Sequence, residues 1–209
     1  MATYVFGDIH GEKEQLFNLL EKINYTISED RLIFLGDYID RGQDSFGTYK
    51  LIRMLELFNE KNVFLKGNHE QMMIDSVLNG EPDRLWAQNG GRTTLSDFDF
   101  DEEKLKGAAK WFNSIPSVYS TDDYVFVHAG IKPEKMLYQQ DKDDFLWIRN
   151  EFLYAEAEMF KDKRTIISGH TPFDQVQFLD NRIVIDTGSG KGGHLSCLNL
   201  ETQEVHSVA

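Results

Sequence analysis

Along the first seventy residues, short apolar runs alternate with stretches of helical period. YVF (4–6), RLIFLG (31–36) and NVFLKG (62–67) have the length and residue types of buried strands. Between the first two, residues 12–23 place Leu16, Leu19, Leu20 and Ile23 on one helical face. Between the next two, residues 44–58 place Leu51, Met54, Leu55 and Phe58 together. This order predicts β-α-β-α-β, with parallel strands joined by crossover helices. Helical period returns at 69–79, and at 102–114 around Ala108, Trp111 and Phe112. The last third is strand-rich: YVFVHAG (124–130), RTIISGH (164–170), DQVQFLD (174–180), RIVIDTG (182–188), HLSCLNL (194–200) and EVHSV (204–208), with LDNR (179–182) as a hairpin turn. A parallel half followed by a hairpin-rich half predicts an α/β fold of two mixed sheets packed face to face, with helices outside. The breaks near 80–92 and 131–144 read as long loops, a common place for substrate contacts.

Nothing along the 209 residues resembles a linker, so one domain spanning 1–209 is expected. Apolar content of 41% suits a globular core, and no apolar run approaches the roughly 20 residues that span a bilayer. A net charge of −13 repels nucleic acid and anionic membranes, so neither is expected as a partner. The first apolar run leads directly into GDIHG (7–11), and a cleavable leader would remove Asp8 and His10 with it. A cytoplasmic protein is therefore expected. The single Cys197, within HLSCLNL, cannot form an intramolecular disulfide and reads as a small buried hydrophobe.

The polar residues at strand ends change the picture most. The first strand ends in Asp8 and His10, the second in Asp37, Asp40 and Arg41 (GDYIDRG, 36–42), and the third in Asn68 and His69 (GNHE, 67–70). Two later strands end in His128 (HAG) and His170 (SGH), so four of the six histidines occupy such positions. In open α/β sheets the carboxyl ends of strands are where ligands bind. Taken singly, each motif reads as a polar turn; together they bring Asp, Asn and His donors to one sheet edge. That oxygen and nitrogen set suits Mn, Fe or Zn better than a thiolate site would. Two cations about 3.5–4 Å apart, bridged by a carboxylate, polarise a phosphoryl group and generate a hydroxide for in-line attack at phosphorus. IDTGSGKGG (185–193) is not a P-loop: Ile185 stands where its first glycine should be, and no Ser or Thr follows Lys191. It reads as a glycine-rich turn, and NGG (89–91) as another.

GDIHG, GDYIDRG, GNHE, HAG and GH, in this order, resemble the signature blocks of the phosphoprotein phosphatase family of calcineurin-like metallophosphoesterases, in its compact bacterial and phage form. The resemblance runs from residue 7 to about residue 190. It implies a four-layer α/β/β/α fold and two divalent metals, Mn first, with Fe, Zn or Mg as options. Asp8, His10 and Asp37 would hold one metal; Asp37, Asn68, His128 and His170 would hold the other. His69 would be the general acid and Asp40 its hydrogen-bonded partner. Arg41 and Arg149 would clamp the phosphate, and Asn68 and His69 would also face the substrate. The placement of Arg149 rests only on its position in FLWIRNEF (145–152), and a surface arginine at a helix start is the alternative. The implied activity is Ser/Thr protein phosphatase, acting on a phosphorylated protein or a smaller phosphoester or nucleotide. A symmetrical dinucleoside polyphosphate hydrolase is the alternative, and an inactive binding module the non-enzymatic one.

Overall fold

The structure, a computed structural model, describes residues 1–209. The N-terminal half is β1 (Thr3–Phe6), α1 (Lys13–Lys22), β2 (Arg31–Phe34), α2 (Ser45–Phe58), β3 (Val63–Phe64) and α3 (Asn68–Val77). Three further helices follow: α4 (Arg84–Trp86), α5 (Arg92–Asp97) and α6 (Glu102–Ser114). The remainder is β4 (Val118–Ser120), β5 (Tyr124–Val127), α7 (Lys142–Trp147), α8 (Asn150–Leu153), β6 (Thr165–Ser168), β7 (Gln177–Leu179), β8 (Arg182–Val184), β9 (Leu195–Asn199) and β10 (Val205–Val208). One sheet has the order β10-β9-β1-β2-β3 and the other β4-β5-β6-β8-β7. β1 pairs in parallel with β2, and β2 with β3, as the crossover pattern predicts. β9 joins β1 antiparallel, so each sheet is mixed.

The layers follow from side-chain alternation. Val5, Ile33 and Leu198 from the first sheet meet Phe126, Ile167 and Ile183 from the second in one buried cluster, the sandwich core. The opposite face of the first sheet carries Tyr4, Phe6, Leu32 and Phe34, which α1, α2, α3 and α6 cover with Leu16, Ile52, Met73 and Phe112. The outer face of the second sheet carries Val125, Val127 and Ile166 under Phe145, Phe152 and Phe160. This is the expected α/β/β/α stack.

Three expectations need correction. Residues 80–92 are not an open loop: α4 runs through a π turn (Ala87–Gly91) into α5, with Gly90 at φ 105° making the kink. The segment 131–144 contains a short 3₁₀ turn, and α7 begins within it. The buried stripe of α2 is Thr48, Ile52 and Leu55, while Met54 and Phe58 point outward. Leu51, which the pattern also favours, is only half-buried. Two small residues, Ser45 and Thr48, take the place of large hydrophobes where α2 meets the site loops, and apolar periodicity does not reveal that face.

Candidate metal centre

All five motifs converge at the carboxyl ends of parallel strands from both sheets. Each turn is built so that a polar side chain points back over its sheet. His10, Asp37, Asp40, Arg41 and His170 have φ of 50°, 53°, 73°, 71° and 64°, making five of the nine non-glycine residues in the left-handed region. That conformation is unfavourable for L side chains and survives where neighbours over-determine it. The loops after β2 and β3 touch backbone to backbone: Gly36 lies at φ 111°, and a Cβ there would sit 2.5 Å from the Gly67 nitrogen. Glu70 ties these two loops together. Its carboxylate accepts the backbone N–H groups of Asp37 (2.8 Å), Tyr38 (2.8 Å) and Gly67 (2.9 Å). Burial nonetheless pushes its carboxyl up to about 7.

The ring nitrogens show what the centre can bind. His10 Nδ1 donates to the Ile39 carbonyl at 3.0 Å, and His128 Nδ1 to the Leu35 carbonyl at 3.1 Å. Burial lowers the pKa of both rings, that of His128 to about 3, so both are neutral and each Nε2 is an acceptor. The lone pair of His10 faces Asp37 Oδ2 at 3.5 Å and Asp8 Oδ2 at 3.9 Å, with the Arg41 guanidinium against it. The lone pair of His128 faces Asn68 Oδ1 at 2.9 Å, His170 Nδ1 at 3.1 Å and Asp37 Oδ2 at 3.4 Å. The Arg41 guanidinium meets the acceptor of His10, and a cation among the remaining acceptors would satisfy them.

The carboxylates give the same result. Burial, then repulsion from Asp186 and Asp37, pushes Asp8 well above the usual carboxylate range. Burial, then Glu70, does the same to Asp37. The donor atoms form two groups that share one residue: His10, Asp37 and His69, and Asp37, His128 and His170. Asp8 lies against both, 3.9 Å from His10 Nε2 and 4.0 Å from His128 Nδ1, and it accepts the His170 backbone N–H at 3.1 Å. The donor chemistry therefore fits divalent cations, offered by two groups that share Asp37.

His69 differs from the other histidines. Its Nδ1 lies 2.6 Å from Asp40 Oδ2, while its Nε2 turns toward the site, 3.9 Å from Asp37 Oδ2. A cleft of about 380 Å³ opens over this edge, lined by His69, Arg41, Arg149, Lys191, Asn89 and Trp147, among others. Arg149 is the first residue before α8, and its guanidinium donates to the His170 carbonyl and to Thr171 Oγ1, both at 3.1 Å. Every residue singled out from the sequence thus lies at this site.

Besides Glu70, four groups escaped the sequence reading. Asp186 lies on the cleft wall next to Asp8, Lys191 sits at its mouth, and Trp86 and Thr94 bond to Asp40. Asp186 and Lys191 belong to IDTGSGKGG, which marks a turn without revealing what it faces. Trp86 and Thr94 carry no local signal. Cys197 is buried in β9 as expected, and burial pushes its thiol up.

The chain also resembles known proteins over its whole length. It is 30% identical to serine/threonine-protein phosphatase 1 of Salmonella typhimurium, across 95% of this chain and 92% of that protein. It is 29% identical to serine/threonine-protein phosphatase 2 of Escherichia coli, over the same shares. Identity to an asymmetrical bis(5'-nucleosyl)-tetraphosphatase of Anoxybacillus flavithermus is 26%, over 100% of this chain and 94% of that one. Among solved structures, a candidate diadenosine tetraphosphatase superposes with a TM-score of 0.76 at 22% identity, over 99% of this chain and 92% of that one, which shows a shared fold. The family model for calcineurin-like phosphoesterases matches residues 1–201. With two clusters of Asp and His donors that fit divalent cations at the strand ends and this family match, the chain belongs to the calcineurin-like phosphoesterases and is a metal-dependent hydrolase of phosphoric esters.

Proposed function

We propose that this phosphoesterase is a Ser/Thr protein phosphatase, with residues 1–209 as one catalytic domain. Asp8, His10 and Asp37 would hold one metal, and Asp37, Asn68, His128 and His170 would hold the other. The observation that carries the reading is that both donor groups share Asp37, while His69, the third member of the first group, is paired through Nδ1 with Asp40. The mixed oxygen and imidazole set suits Mn first, with Fe, Zn or Mg as substitutes. When bound, such a pair of ions supplies Lewis-acid polarisation of the phosphoryl oxygens and a nucleophilic water at neutral pH.

The chain's own residues do the rest. Arg41 and Arg149 flank the cleft and grip the phosphoryl oxygens through their planar forks. Asn68 and His69 complete its polar wall. Asp40 orients the His69 ring, so that Nε2 delivers a proton to the leaving oxygen as the P–O ester bond breaks.

For the substrate, the support is the pair of enterobacterial relatives named as Ser/Thr phosphatases, which exceed the nucleotide-cleaving relative in identity. A second reading, dinucleoside polyphosphate hydrolysis, draws on Lys191, a third cation at the cleft mouth beside Arg41 and Arg149. Among the named relatives the nucleotide enzyme is asymmetrical, rather than the symmetrical type expected from the sequence. A phosphorylated protein is the proposed partner. The reading includes a cytoplasmic location, supported by a lone buried cysteine that makes no disulfide; no helix is long and apolar enough to cross a membrane.

The test compares a phosphoserine peptide, a phosphotyrosine peptide, p-nitrophenyl phosphate and diadenosine tetraphosphate under one Mn²⁺ condition. The highest kcat/KM among the biological substrates is expected for the phosphoserine peptide. A higher value for diadenosine tetraphosphate would overturn the protein phosphatase reading and favour the nucleotide one.

A further inference from the structure

Asp40 and Arg41 are successive non-glycine residues in the left-handed region. L side chains hold that conformation where surrounding structure fixes it. What fixes it here is a segment 46 to 54 positions away in sequence, from Trp86 through the π turn to Thr94. The Asp40 backbone N–H donates to Thr94 Oγ1 at 3.0 Å, and the Arg41 backbone N–H points at the Gly90 carbonyl at 3.5 Å. Gly90 packs so closely that a Cβ on it would lie 2.9 Å from the Arg41 nitrogen. A Cβ on Gly91 would lie 2.7 Å from the Trp86 indole.

The same segment saturates the Asp40 carboxylate. The Trp86 indole N–H donates to both oxygens, at 3.0 and 2.9 Å, and the Thr94 hydroxyl donates to Oδ1 at 2.5 Å. The remaining contact, from Oδ2, is the one with His69 Nδ1. Trp86 and Thr94 are 2% and 0% exposed, so water cannot stand in for either donor. A carboxylate held by these two donors presents its remaining lone pair in one direction only, and that direction sets the His69 ring.

We infer that Trp86 and Thr94 are positioning residues for leaving-group protonation: they fix Asp40, and through it aim His69 Nε2 at the departing oxygen. Hydrolysis adds water across the P–O ester bond, and the leaving oxygen takes its proton from His69. The inference rests on the reading of His69 as the general acid. A tryptophan that merely filled the core would affect all substrates alike.

Two esters separate these possibilities. The p-nitrophenolate leaving group departs without a proton, whereas the serine alkoxide needs one. Trp86→Phe and Thr94→Val are each expected to lower kcat on a phosphoserine peptide roughly 10-fold or more, the weight of one lost hydrogen bond to a charged group. On p-nitrophenyl phosphate kcat should change little, and Thr94→Ser should restore the peptide rate. In a His69→Asn background neither substitution should lower kcat further. Equal losses on both esters, or further losses in that background, would overturn the inference. If His69→Asn itself slows both esters equally, the acid reading has failed instead. Should Trp86→Phe fold poorly, the Thr94→Val and Thr94→Ser pair decides the matter alone.

Discussion

Asp37→Asn is expected to abolish metal binding at both positions together and to lower kcat roughly 10³-fold or more, since the bound ions contribute several kcal/mol to the transition state. The reason lies in how Asp37 is placed. Its Oδ2 faces the Nε2 acceptors of His10 (3.5 Å) and His128 (3.4 Å), which belong to different donor groups. Its Oδ1 accepts the His69 backbone N–H at 3.0 Å and so cannot swing away. An asparagine lacks the charge that offsets two divalent ions, and its NH₂ would donate to an imidazole lone pair in place of a cation. Asparagine is neutral at a position where burial and Glu70 disfavour an ionised carboxylate, so the metal-free variant should be at least as stable as metal-free wild type. Thermal unfolding with and without Mn²⁺ checks this. Wild type should gain Tm on adding metal and Asp37→Asn should gain little, since a ligand stabilises only the state that binds it. Two ions bound normally by the variant, measured by elemental analysis, would show that Asp37 is not the shared ligand.

His69→Asn carries the second large effect. On a phosphoserine peptide, kcat should fall roughly 10²–10⁴-fold, the usual weight of general acid catalysis, while both metals stay bound. His69 Nδ1 is held by Asp40 at 2.6 Å, and its Nε2 faces the cleft. The His10 ring meets it edge-on at 4.7 Å between centroids, which limits its tilt. Asparagine keeps a polar group there but cannot give up a proton at neutral pH. An alkyl ester turned over at the wild-type rate by this variant would exclude the acid role.

What could be read from the sequence, and what could not, follows from how far each contact reaches along the chain. GDIHG, GDYIDRG and GNHE announce themselves because the turn after a strand and the polar residue that it presents are neighbours in sequence. The parallel order of β1, β2 and β3 was legible for the same reason, through the crossover helices between them. Arg149 was legible only through family resemblance, since a lone arginine before a four-residue helix has no pattern of its own. Glu70 stood in plain view within GNHE, yet its work is done on backbone N–H groups 32 and 33 residues away. Trp86 and Thr94 lie in a stretch where Gly90 and Gly91 look like loop punctuation. The glycines are there because backbone and indole pack too closely for a Cβ, so the helix kinks through them without ending. The outward Met54 and Phe58 mislead in the opposite sense, as apolar residues on a helix whose buried stripe is partly Ser and Thr.

The most direct test of the two-metal reading is the activity of protein shown by elemental analysis to be free of metal. After chelation, p-nitrophenyl phosphate hydrolysis should be absent, and it should return on titration with Mn²⁺ as two ions bind per chain. Full activity in the metal-free protein would contradict it.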